Sequence, residues 1–467
     1  MPIAVDRSKS AGKEGAEPGK SAKRYRRRVI ASASVALAMT APAQTAAISV
    51  FVDPLSTSLH VSRSAVATAY SLGSLVGALL MPLLGRLLDR FGPRRAMATV
   101  GFCFGAVLLA TGAVTEVAGL TATFVGIRVG GQAALSLVAT TAVAVYVHQH
   151  KGFATGVVSA VGSSAISLAP LVLERLIGEF GWRTVWQLEG CAVLALTVPA
   201  ALFVMPRRVR TDDAAASSTA QAGSAHCVAS ASPSRETSAD RTLRQASRTA
   251  VFWVVIGGSG VCSLVTTALT FHQVSLLGER GLGGSEAAAN FVPQLLAGLL
   301  ASFLVGWLAD HVNDRALVIA IMAVLALATI GAGWVRPGWT AVGYGLALGA
   351  CTGGVRTLKA VVFTDHFGPG HLGALRGAVH SVVIGASALG PLVLALGSEW
   401  FGSYRGALAV LCALPALVVA AACGAKPPRR PRRHRVPWAT SPAAQVRGSA
   451  RRRGRPAGLR SGETENP

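Results

Sequence analysis

An all-α polytopic membrane protein, with twelve transmembrane helices in two pseudo-symmetric six-helix halves, is what this sequence predicts. Three observations predict it. Only 14% of the 467 residues are charged and the mean hydropathy is +0.49, too apolar for a water-soluble domain. The apolar residues fall in runs of about 20, the length at which a helix crosses a bilayer while satisfying its own backbone hydrogen bonds. The third observation is a repeat. The charged turn Gly85–Arg95, GRLLDRFGPRR, lies between two apolar runs, and a second version, Gly306–Arg315, GWLADHVNDR, lies between two others. Gly85 and Gly306 are 221 residues apart, and so are Asp89 and Asp310, Pro170 and Pro391, and the pairs Phe180-Gly181 and Phe401-Gly402. Four landmarks at one offset mark a tandem repeat about six spans long.

The elements follow in order. Residues 1–28 are polar, end in KRYRRR and lack the apolar core of a signal peptide, so a disordered basic cytoplasmic arm is expected. Residues 29–204 form the N-terminal half, with spans near Val29–Val52, Ser64–Leu84, Ala96–Val117, Thr121–Val147, Phe153–Ile177 and Val185–Val204. Residues 205–249, rich in Ala, Ser and Arg, read as a cytoplasmic linker. The C-terminal half, 250–423, has spans near Ala250–Leu276, Ala287–Leu308, Ala316–Val335, Trp339–Thr364, Leu372–Leu396 and Tyr404–Cys423. Residues 424–467, rich in Pro and Arg, read as a disordered basic cytoplasmic tail. Glycines inside the spans, such as Gly73, Gly77, Gly156 and Gly162, let membrane helices approach closely.

Charge sets the orientation. The net charge of +23 is concentrated outside the apolar runs. With an even number of spans, about 35 of the 44 lysines and arginines fall on the side of both termini and the linker. Basic loops stay in the cytoplasm, so both termini are expected there, in a cell (inner or plasma) membrane. Anionic lipid headgroups are the expected partners of the basic loops and tails. Nucleic acid is not, because the Arg-rich tail has no interleaved aromatics beyond Trp438. Gly19–Ser21 reads GKS, but Glu14 stands where a phosphate-binding loop needs glycine and no strand precedes it. The seven cysteines are scattered without a CxxC pair. Neither a metal, a cofactor nor an enzymatic activity is expected.

The charged turn and its second copy resemble the loop of the major facilitator superfamily of secondary transporters, Gly-x-Leu-Ala-Asp-Arg/Lys-x-Gly-Arg/Lys-Arg/Lys. The chain supplies Gly85, Leu87, Asp89, Arg90, Gly92, Arg94 and Arg95, with Leu88 in place of the small residue; the second copy keeps Gly306, Leu308, Ala309 and Asp310. Ser49–Arg63, SVFVDPLSTSLHVSR, and Tyr146–Ser163, YVHQHKGFATGVVSAVGS, look like bacterial monocarboxylate-porter and oxalate/formate-antiporter members. The resemblance implies the two-half fold and a conformational latch; because one chain holds both halves, function as a monomer is expected. In that family the loop aspartate grips span eleven, here near Leu372–Leu375, and by pseudo-symmetry Asp310 faces the start of span five.

Polar residues inside the spans are the candidates for substrate contact, because they are costly in lipid and usually face a cavity or a partner. Arg128, near the middle of span four, leads; it either contacts an anionic substrate or sits in a structural pair. Arg356 in span ten, Gln44 in span one, Asn290 and Gln294 in span eight, and His380 in span eleven are the others. A histidine could carry a coupling proton. The resulting expectation is a secondary active carrier, working by alternating access on a small organic anion of the monocarboxylate kind. An efflux carrier for drug-like or metabolite compounds is the alternative, favoured by the largely uncharged second half. A non-transporting membrane sensor is a third reading, disfavoured by the low-complexity linker and tails.

Overall fold

The computed structural model describes residues 18–147, 150–206, 250–367 and 372–424. The expected linker and tail therefore lie, but for their first one or two residues, outside the described residues. Among those described, the secondary structure is helical throughout, and nine stretches are long and apolar enough to cross a membrane.

In the first half, α1 (Pro18–Ala38), α2 (Thr45–Ser49) and α3 (Val52–Leu59) are followed by the 49-residue α4 (Arg63–Thr111) and α5 (Val117–Ile127). A π-helix (Arg128–Leu135) leads into α6 (Ser136–Tyr146), and then comes α7 (Lys151–Pro199), also 49 residues, ending in a π-helical turn (Ala200–Val204). In the second half come α8 (Ala250–Phe271), α9 (Gln273–Gly278), α10 (Gly284–Ala289), α11 (Phe291–His311) and α12 (Asp314–Gly331). The last three are α13 (Trp339–Phe367), α14 (Leu372–Trp400) and α15 (Tyr404–Gly424).

Both 49-residue helices are about twice the length of a single crossing. Each is broken once, α4 at Gly92 (φ 75°, ψ 159°) and α7 at Gly181 (φ 75°, ψ 156°). Positive φ is open to glycine and strained for other residues, so these two positions set where each helix breaks. Gly92 lies in the charged turn, and that end of the bundle is called the motif end below; Gly181 lies at the opposite end.

Three expectations need correction. The disordered arm cannot extend to Arg28, because α1 begins at Pro18; lysine and arginine are good helix formers, and extending an existing helix is cheap once it is nucleated. Span one is not continuous over Val29–Val52. It breaks after Ala38 into a short turn at Ala41–Ala43, where Pro42 has no N–H to donate, and restarts at Thr45. Span seven breaks likewise at His272, between α8 and α9.

Each half has its own apolar core. The first is built around Phe51 stacked on Trp186 at 4.2 Å, with Phe104, Leu108 and Phe124; the second around Leu269, Leu325, Leu348 and Leu411. Phe271, Ala288 and Ala395 of the second half are buried in the first core, so the halves interlock there. Large apolar side chains such as Leu79, Leu300, Phe303 and Leu327 are exposed on the outside, as lipid-facing residues are.

Candidate functional site

A cavity of about 400 Å³ lies between the halves. The first half lines it with Gln44, Ser74, Arg128, Gln132 and Ser136, and the second with Ser263, Val383, Ile384 and Ser387. The breaks in the chain place these groups. Gln44 follows the turn that interrupts span one, and its amide donates to Thr40 Oγ1 at 3.2 Å. Arg128 and Gln132 both lie in the π-helix, whose wider turn interrupts regular helix and recurs at functional sites.

Arg128 is 3% exposed and is the cavity's only cation among the described lining residues. Its Nε donates to Ser74 Oγ at 2.8 Å, one Nη donates to the Ala43 carbonyl at 2.8 Å, and its Cζ stands 4.4 Å from the ring centroid of Tyr70. The Ala43 carbonyl is available because the helix is interrupted there. Among the described residues no carboxylate pairs with Arg128, and its other terminal nitrogen makes no hydrogen bond. Gln132, four residues on, has an enclosed side-chain oxygen with no hydrogen-bond partner. The site is thus a fixed guanidinium with spare donors, ringed by hydroxyls and amides and flanked by small apolar groups.

The other candidates are placed elsewhere. Asn290 donates to the Ala341 carbonyl at 2.6 Å, and Gln294 donates to Gln273 Oε1 at 2.6 Å, so both amides tie helices of the second half together. Arg356 is exposed and does not line this cavity. The side chains of His380, of Asp310 and of Leu372–Leu375, the start of span eleven expected to meet Asp89, lie outside the described residues. Asp89 and Arg90 are exposed, with Arg90 against the Phe91 ring at 5.7 Å. Gly85 and Gly306 lie within α4 and α11. Arg94 donates to the Ala201 and Leu202 carbonyls and so caps the end of α7; with Arg95 it borders an apolar cleft of about 670 Å³ that includes Leu84, Leu87 and Phe91.

At the end opposite the motif, Arg63 binds two carboxylates, Asp53 of its own half and Glu279 of the other, each at 2.9 Å. This bridge was not legible in the sequence. A charge at the end of an apolar run looks like any interfacial residue, and the partner is 216 residues away. Ser74, Gln132 and Ser136 were missed for a related reason: a small polar residue inside a span reads as a helix-packing residue. A spacing of i, i+4, i+8 from Arg128 would have pointed to Gln132 and Ser136.

Helices that cross a membrane, two repeated halves and a polar cavity between them define a membrane transporter. The model of the Major Facilitator Superfamily matches residues 29–347 and 275–457, and the chain belongs to that superfamily. It is similar to the uncharacterized MFS-type transporter YcxA of Bacillus subtilis (strain 168), with 21% identity over 386 residues, 77% of this chain and 85% of that protein. Among solved structures, a bacterial homolog of the human lysosomal transporter Spinster, inward-facing and occupied, superposes with a TM-score of 0.64 at 16% identity, covering 88% of this chain and 96% of that one. The D323A mutant of the nucleoside transporter NupG superposes with a TM-score of 0.67 at 12% identity, covering 85% and 99%. At these identities the structural likeness speaks to the fold alone.

Proposed function

We propose that this transporter is a secondary carrier for a small, singly charged organic anion, held by Arg128 in the cavity between the halves. One observation carries the reading: a buried arginine with spare donors and, among the described residues, no carboxylate to neutralise it. An unpaired buried charge is costly, and an incoming carboxylate supplies the missing partner. One cation suits one negative charge, and the hydroxyls and amides around it suit a polar, compact body. The chain would cross the membrane twelve times, with the linker and both termini cytoplasmic, and would work as a monomer. The halves would rock about the cavity, exposing it to each side in turn. Arg63 with Asp53 and Glu279 would close one side. The motif latch at Asp89 and Asp310 would serve the other, with anionic lipid at Arg90 and Arg95. A proton gradient is the proposed driving force.

The wall contributed by the second half, Ser263, Val383, Ile384, Ser387 and Ala388, carries no charge. That observation favours a second reading, efflux of a largely apolar compound. Uptake of labelled monocarboxylates into proteoliposomes, with and without a proton gradient, separates the two. Wild-type uptake that Arg128→Ala abolishes supports the anion carrier. Transport of no carboxylate, or equal transport by the variant, gives the lead to efflux.

A further inference from the structure

The cavity and the Arg63 bridge lie at different depths in the bundle, yet an unbroken run of ring contacts joins them. The Arg63 guanidinium stands 5.9 Å from the Tyr404 ring centroid. The Tyr404 and His272 rings are 5.6 Å apart, and His272 and Phe271 are 5.0 Å apart. Phe271 then meets Tyr70 of the first half at 4.7 Å, and Tyr70 lies 4.4 Å from Arg128. Tyr70, Phe271 and His272 are fully buried and Tyr404 nearly so. Hydrogen bonds fix the rings in place. His272 Nε2 faces the Pro391 carbonyl at 3.0 Å and so carries the proton; Nδ1 then accepts from the Tyr404 hydroxyl at 3.1 Å. The Tyr70 hydroxyl meets Thr45 Oγ1 at 2.6 Å.

Arg63 and Tyr70 are seven residues apart on α4, about two turns, and so share one face. That face grips the second half twice, at Tyr404 and at Phe271. Tyr70 also does something Arg63 does not: its ring holds Phe271 across the interface and holds the Arg128 guanidinium beside the cavity.

We infer that Tyr70 and Phe271 are positioning residues that couple the charge at Arg128 to closure of the Arg63 end. The attraction between a guanidinium and a ring is electrostatic and strongest when both are desolvated, as here. An anion seated on Arg128 neutralises it and draws it toward the cavity. Tyr70 loses the attraction that holds its ring in place against Phe271, and the grip of α4 on the second half loosens. Filling the cavity therefore favours parting of the halves at the far end. A double-mutant cycle measures this coupling.

Spin labels at Thr57→Cys and Ser285→Cys, exposed positions in α3 and α10 on opposite halves, report the separation at this end. They are placed in the full chain in lipid nanodiscs, with the seven native cysteines replaced. No substrate is added, so the outcome does not depend on which anion, if any, is carried. Arg128→Gln removes the cation as a bound anion would neutralise it, and Arg128→Met repeats the comparison with an apolar stem should the first variant fail to fold. The expected result is an open-to-closed ratio raised about thirtyfold, the scale of one desolvated cation–ring contact. In a Phe271→Leu background the same change is expected to move the ratio less than about twofold, while Tyr70→Phe, which keeps the ring, preserves the coupling. An equal shift with and without Phe271, or no shift in a folded variant, overturns the inference.

Discussion

The two halves make the same contact between their second and fourth spans, with the glycines on opposite helices. In the first half they are on α4: a Cβ on Gly73 would stand 2.7 Å from the Phe124 carbonyl oxygen, and one on Gly77 3.6 Å from that of Arg128. One repeat later those α4 positions are Gln294 and Gly298, and Phe124 and Arg128 become Gly345 and Gly349. There the close approach is made by α13, where side chains on Gly345, Gly349 and Gly353 would run into Asn290, Gln294 and Gly298. The register survives because a small residue on either helix lets the backbones meet. The consequence for the cavity differs. With glycine on α4, the fourth span of the first half is free to carry Arg128 and Gln132. Their counterparts, Gly349 and Gly353, carry nothing, and the amide of Gln294 is spent on Gln273. The repeat teaches that packing was kept in both copies while charge stands on one wall.

The charged turn offers the same lesson in smaller form. Gly92 takes positive φ, whereas its counterpart Asn313 is extended (φ −70°, ψ 139°) and separates α11 from α12. The cap nevertheless persists. Arg94 donates to the Leu202 carbonyl and Arg315 to that of Cys423, and both donors and acceptors are one repeat apart.

Substitutions can break or sharpen this comparison. The largest effect is expected at the seam. Gly349→Ala and Gly73→Ala each force a methyl onto backbone and should cost about 1–3 kcal/mol, read as a lowered Tm of the purified carrier, while Gly85→Ala, which meets open space, should change Tm little. Next is the break in α4: Gly92→Ala should cost about 1–2 kcal/mol for left-handed strain, and Asn313→Gly well under 1 kcal/mol. Smaller again are the caps. Arg94→Ala and Arg315→Ala should each cost about 0.5–1 kcal/mol, and equally; unequal losses would break the claim that the caps are equivalent. The smallest is Arg356→Gln, expected to alter carboxylate uptake by less than about twofold because Arg356 stands outside the cavity.

Much of the fold was legible because lipid imposes it: long apolar runs, a charged turn and a constant offset between copies follow from physics that a single sequence displays. Arg128 and Gln44 stood out for the same reason, as polar groups where lipid tolerates few. The breaks at Ala41–Ala43 and His272 were hidden, since an interrupted span keeps its average hydropathy. Tyr70 and Phe271 were hidden too, because an aromatic in an apolar run looks like any core residue until its neighbour across the interface is known. Asn290 and Gln294 resembled Gln44 in the sequence; only the three-dimensional arrangement separates amides that tie helices together from one that lines the cavity.

The central claim, that anion recognition rests on the first half's wall, is tested most directly by calorimetric binding of a monocarboxylate panel to the purified full-length carrier, comparing wild type with Arg128→Gln and Gln294→Leu. The account predicts binding by wild type and Gln294→Leu at affinities within about threefold, and at least a hundredfold loss in Arg128→Gln, the order of one desolvated charge pair. Undiminished binding by Arg128→Gln, or a loss confined to Gln294→Leu, would contradict it.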